Sequence, residues 1–175
     1  MLTPMLTVEE ARQRLAELAG TLPSEATPLE AAAGLALATD VVAGRNLPGF
    51  DNSAMDGFAV RVGDVAGASR EQPARLRVAG EVSAGAVYEG EVAPGTAVQI
   101  MTGAPIPAGA EAVVEVEETD VEGDDVLVFR ALEPGRSFRA AGSDLAIGAP
   151  ALAAGTVLGP SQLGLLAALG VTRPE

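Results

Sequence analysis

Arg45-Asn46-Leu47-Pro48-Gly49-Phe50-Asp51-Asn52-Ser53-Ala54-Met55-Asp56-Gly57-Phe58-Ala59-Val60 is the stretch that decides how this 175-residue chain is read. Pro48-Gly49 marks a turn, because proline presets φ and glycine accepts positive φ. Two carboxylates follow, Asp51 and Asp56, with Asn52 and Ser53 beside the first. Asp56-Gly57 is a second turn signal, and Phe58-Ala59-Val60 opens an apolar run suited to a strand. Polar side chains are thus fixed between two turns at the mouth of a strand, a setting in which loops commonly carry chemistry. The plainer reading is an Asx-turn loop whose Asp and Asn side chains serve only their own backbone. Residue chemistry alone leaves both readings open.

Beyond Gly57 the chain turns β in character. Phe58–Val62, Leu76–Ala79, Val82–Ala84, Ala97–Met101, Ala112–Val116 and Val126–Arg130 are short runs separated by Gly, Pro or acidic turns. Their spacing predicts a small, mostly antiparallel sandwich or barrel. The two ends are helical. Thr7 and Glu10 form a capping-box pattern, Val8, Ala11, Leu15, Leu18 and Ala19 recur at helical spacing, and Gly20 supplies a stop. Thr27-Pro28-Leu29-Glu30 is a second capping box with proline at its favoured position, and Leu35–Ala43 reads as a strand leading into the central loop. Gly159-Pro160-Ser161 opens a last helix that ends at Gly170, with Leu163, Leu166, Ala167 and Leu169 expected in the core. Val171–Glu175 reads as a cut at a linker.

Composition narrows the function classes. The hydrophobic fraction is 48%, fitting a globular chain, but aromatics are only 3%, so the core must be built from Ala, Val and Leu. The net charge is −13, and all 11 basic residues are arginines that nowhere form a stripe. No nucleic acid and no anionic membrane surface is expected as a partner. The absence of cysteine and histidine removes thiolate nucleophiles, imidazole bases and the usual zinc ligands. Any metal held here would be a hard cation bound by oxygen. With no basic segment followed by an apolar one at the start, and no run near 18 apolar residues, cytoplasm is the default expectation.

Residues 111–125 carry eight of the 24 acids and no base. Glu111, Glu115, Glu117 and Asp120 raise the question of a cation site, but the Asp-x-Asp-x-Asp-Gly pattern of a calcium loop is missing. Their alternation with valines fits a strand and hairpin with an acidic wet side. Arg136 and Arg139 are the only positive charges near the Gly142-Ser143-Asp144 segment. They read either as an oxyanion attractor or as exposed arginines offsetting an acidic surface.

Residues 47–60 resemble, over fourteen consecutive positions, the signature of the molybdopterin molybdenumtransferase family, bacterial MoeA and the E domain of gephyrin. Ile100-Met101-Thr102-Gly103-Ala104-Pro105-Ile106-Pro107 and Gly142-Ser143-Asp144 resemble two further family segments, in the family's order. The resemblance runs from about residue 7 to the end and covers the family's N-terminal region only. It implies an α+β fold: a discontinuous helix-containing dimerisation domain (1–47 and 140–175) and an inserted, mostly antiparallel β domain (48–139). The C-terminal molybdopterin-binding domain and a small β domain would be absent.

The same resemblance implies an activity: insertion of molybdate into adenylylated molybdopterin, with Mg²⁺, releasing AMP. It makes Asp56, Thr102 and Asp144 the expected catalytic residues and Ser53 and Arg139 the expected cofactor-binding ones. Asp56 and Asp144 are the expected metal contacts, while Asp51, Asn52 and Ser53 also shape the loop. A homodimer is implied, with molybdopterin adenylyltransferase and molybdoenzyme-maturation proteins as further partners. One departure stands out: some relatives carry consecutive arginines before the Gly-Glu-Asp segment, whereas here Arg139 is followed by Ala140 and Ala141. The isolated chain is expected not to turn over. The alternative is a non-enzymatic dimerisation or docking module of the same fold.

Overall fold

The structure, a computed structural model, describes residues 5–20 and 22–175; residues 1–4 of the expected 1–47 segment, and residue 21, lie outside the described residues. In chain order the elements are α1 (Val8–Leu18), β1 (Val41–Val42), β2 (Asn52–Ser53), β3 (Gly57–Val60), β4 (Ala74–Val82), β5 (Thr96–Ile100), β6 (Ala112–Glu115), β7 (Thr119–Glu122), β8 (Asp125–Val128), β9 (Phe138–Arg139), β10 (Pro150–Leu152) and α2 (Pro160–Leu169). Short 3₁₀ turns lie at Leu29–Ala31, Val62–Val65 and Val116–Glu118.

Six strands form one sheet in the order β6-β3-β5-β4-β8-β7. Every pairing in it is antiparallel except β4 with β5. Both faces are covered. Phe58, Val60, Leu76, Val114 and Val126 belong to one core, and Ala59, Val82, Val98, Ile100 and Val113 to the other. Adjacent residues along a strand serve opposite faces, so all four residues of β3 are buried. Leu76 and Val82 sit six positions apart on β4 yet serve different faces, because the register slips between Val78 and Gly80. A bulge adds one residue and turns the side chains over. It also joins into one strand the two runs that the sequence separates, Leu76–Ala79 and Val82–Ala84.

A third core draws Ala32 and Leu37 together with Leu158 and Leu166, edged by the antiparallel pair β1–β10. Of the expected strand over 35–43 only Val41–Val42 is realised as a strand, against the three-residue β10 with a shifted register, and Ala36 adds a lone antiparallel bridge to Val157. Leu166 and Leu169 of α2 are buried and Leu163 half-buried, but Ala167 is exposed. At 100° per residue it falls beside the stripe set by 163, 166 and 169.

The capping box at Thr7 forms as read, with Glu10 N donating to Thr7 Oγ1 and Thr7 N to Glu10 Oε2. Yet α1 contributes no buried residue, and Val8, Leu15 and Leu18 are 78%, 67% and 82% exposed. Its apolar stripe has no cover within the described chain. No described helix is long and apolar enough to cross a membrane.

Candidate active site

Three segments far apart in sequence meet at the loop that precedes β3. β2 pairs antiparallel with β9, placing Asn52 opposite Arg139 and Ser53 opposite Phe138. On its other side, Ser53 N donates to the Ala104 carbonyl and Gly103 N to the Ser53 carbonyl, at 3.0 and 2.8 Å. Asn52 and Ser53 are both buried. Their side chains are spent locally: Asn52 Nδ2 donates to the Phe50 carbonyl, and Ser53 Oγ donates to the Met55 carbonyl. Ser53 therefore supports the loop and presents no hydroxyl to a ligand. Asp51 Oδ1 accepts from Ala141 N at 2.8 Å, fastening the loop to the 140–144 segment.

Asp56 stands at the exposed end of this loop. Its Oδ1 accepts both the backbone N–H and the hydroxyl of Thr102, each at 2.7 Å. Among the described residues no donor reaches Oδ2. The Thr102 N–H, followed by its hydroxyl, holds the Asp56 carboxyl below the ordinary aspartate range, because both bonds favour the charged form. The result is a fixed carboxylate with one oxygen open. Asp144, also exposed, is ion-paired with Arg139. It reaches the loop through Arg139 and β9, without a hydrogen bond to Asp56 or Thr102. The structure thus brings Asp56 and Thr102 into direct contact, while Asp144 pairs with Arg139 and bonds to neither of them.

Gly57 explains why the loop enters β3 where it does. A Cβ built there would lie 1.9 Å from the Val114 carbonyl oxygen, so β3 and β6 approach closer than any other residue permits. Glycine is required for that contact, and the turn that Asp56-Gly57 signals in the sequence is not its cause.

Glu115, the last residue of β6, reads in the sequence as one of the acids on a wet face. It is buried, 8% exposed. Its Oε1 accepts from Arg136 Nε and Nη2 at 3.0 and 2.7 Å and from Ser137 Oγ at 2.8 Å. Burial pushes the Glu115 carboxyl up, but its own backbone amide, the Ser137 hydroxyl and Arg136 outweigh this and leave it below the usual range. Ser137 itself has φ of 57°, the left-handed region that side-chain-bearing residues seldom adopt. No local pattern announces this cluster, since Glu115 and Arg136 are 21 residues apart. The remaining acids do lie outside: Arg75 pairs with Glu122 and Asp125, Arg70 with Glu118, and Glu111 accepts the Val62 N–H. Among the described residues no group of three or more acids converges as a metal site.

A mixed sheet with an exposed, hydrogen-bonded carboxylate at one end, fed by three converging loop segments, defines an α+β chain with an open acidic site. Residues 6–170 match the family model described as the MoeA N-terminal region, domains I and II. The chain belongs to that family. It is 44% identical over 167 residues to molybdopterin molybdenumtransferase 2 of Mycobacterium tuberculosis, covering 95% of this chain and 41% of that protein. It is 45% identical over 159 residues to the molybdopterin molybdenumtransferase of Synechococcus elongatus, covering 90% and 40%. The crystal structure of the molybdopterin biosynthesis MoeA protein from Pyrococcus horikoshii superposes with a TM-score of 0.82 at 39% identity, over 86% of this chain and 40% of that one. The chain thus spans about two fifths of the length of these relatives.

Proposed function

We propose that this chain supplies one wall of the active cleft of a molybdopterin molybdenumtransferase, which inserts molybdate into adenylylated molybdopterin and releases AMP. The observation that carries the reading is Asp56, ionised and oriented by two bonds from Thr102 with Oδ2 open to solvent. Cleavage of the adenylate is a hydrolysis: water adds to a phosphorus, the anhydride P–O bond breaks, and AMP leaves. Asp56 Oδ2 accepts a hydrogen bond from that water and aims it, while Thr102 keeps the carboxylate from rotating. Arg139 is half-exposed and carries the cation that meets substrate phosphate or molybdate oxygens, with Asp144 setting its direction.

For magnesium, Asp56 is the donor in this chain that fits, since the ion takes one or two carboxylates together with substrate phosphates. Asp144, already neutralised by Arg139, fits less well. A bound magnesium ion would offset phosphate charge as the anhydride breaks. The helix-containing ends and the β region act as the two N-terminal domains, and the molybdopterin pocket is formed by the part of the longer relatives outside the region matched here. The isolated chain therefore does not turn over.

The test is molybdate-dependent AMP release from adenylylated molybdopterin, by this chain alone and then with the C-terminal part of a full-length relative added. Silence alone and release on mixing supports a shared cleft. Release by the chain alone would overturn it. Undiminished release with Asp56→Ala in the mixture would remove Asp56 from the chemistry.

A second reading, an assembly module, is favoured by α1, whose stripe of Val8, Leu15 and Leu18 stands uncovered. We propose a homodimer, or the remainder of a longer chain, as what covers it. Concentration-dependent sedimentation of this chain separates the two.

A further inference from the structure

We propose that Glu115 is a positioning residue of this site: its buried carboxylate locks the Arg136–Ser137 turn and so holds β9 and the Asp51–Asp56 loop in one arrangement. The backbone at this point already borders Asp56, since Glu115 pairs with Gly57 and Val116 N donates to the Asp56 carbonyl at 3.1 Å. The side chain reaches the other flank of the same loop. Ser137, gripped through its hydroxyl, offers its carbonyl to Ala54 N at 2.8 Å, and the next two residues pair with Ser53 and Asn52. One carboxylate therefore ties both flanks of the loop that presents Asp56.

Two features show that this clamp serves geometry. Ser137 keeps a left-handed backbone that a serine leaves readily unless its surroundings hold it. Glu115 Oε2 is buried and has no donor among the described residues. An orphaned carboxylate oxygen is costly, and a valine at this place would avoid the cost. The fold keeps the charge where it fixes the turn beside the site, which is where such departures from good packing are expected. The effect of Glu115 on turnover rests on the transferase reading; the clamp itself does not.

Glu115→Gln keeps the shape and removes the charge. In this chain the amide of Ala54 is expected to gain at least tenfold more in exchange rate than the amides of β5 do. Arg136→Lys, which keeps a charge but loses the two-pronged contact, gives the same local change if the first variant does not fold. In the mixture that supports AMP release, Glu115→Gln is expected to lower kcat about tenfold with KM unchanged. Parental exchange at Ala54 in a folded variant would overturn the proposal. So would equal acceleration at Ala54 and throughout β5, which marks a purely global effect. If the parent mixture releases no AMP, the transferase reading fails, and the exchange measurement still decides the clamp.

Discussion

Gly57→Ala is the sharpest perturbation of the loop–strand junction. The new methyl would sit 1.9 Å from the Val114 carbonyl oxygen and 2.9 Å from its carbon, where ordinary contact begins near 3.4 Å. β6 must retreat by about 1.5 Å, since β3 is held on its other side by β5. Overpacking of this kind costs about 1–3 kcal/mol. The retreat also stretches bonds at the β3–β6 junction, among them Val116 N to the Asp56 carbonyl, and each lost bond adds roughly 1 kcal/mol. The sum is about 2–4 kcal/mol, or a fall of about 10 °C in the thermal midpoint for a chain of this size. Circular dichroism melting reads it. Gly63→Ala is the control: a Cβ there meets nothing within 4 Å and the backbone is not left-handed, so stability should hold or rise by a few tenths of a kcal/mol. If Gly57→Ala melts with the parent, the close approach of β3 and β6 is wrong, and with it the placement of Asp56 and Glu115.

Thr102→Val keeps the backbone donor to Asp56 and removes the hydroxyl, so the carboxyl should titrate closer to the ordinary aspartate range in a carbon-13 NMR titration. Because the folded value is depressed, the contribution of this contact is present above the ordinary aspartate pKa and is lost as pH falls through the folded value; a reversed shift would refute the assignment. Arg136→Ala should cost about 1–2 kcal/mol by urea unfolding, less than a fully buried pair, because its side chain is 44% exposed. A joint Leu15→Gln and Leu18→Gln change should leave the melting of the isolated chain unaltered, since both side chains face solvent. The same change should reduce any self-association seen by sedimentation.

Much of this architecture was legible because it is written locally. The Thr7 box, the Pro160 helix start and the strands at β3, β5 and β6 follow from spacing of a few residues, and the fourteen-residue run at 47–60 identifies the family. What escaped depends on distant partners. Gly57 looks like a turn glycine until β6 is placed beside it. Glu115 looks like one more acid on a wet face, because it is the last of the four buried residues of β6 and the acids of the 3₁₀ turn at Val116–Glu118 and of β7 follow at once. The periodicity of α1 reveals an apolar stripe but carries no information on what covers it.

The protonation state of Asp56 limits what this residue can do in the proposed cleft. A carboxylate stabilised by two Thr102 donors is a weaker base than a free one, so it is poorly matched to taking a proton near neutral pH. It is well matched to a constant negative charge in one direction, because neither ionisation nor rotation has to change during the reaction. Asp144 is likewise committed, to Arg139, and the chain has no histidine to act as a base. On the proposed function these residues therefore bind and aim. Under the transferase reading, proton acceptance falls to water, to the substrate phosphates, or to groups in the longer relatives outside this region.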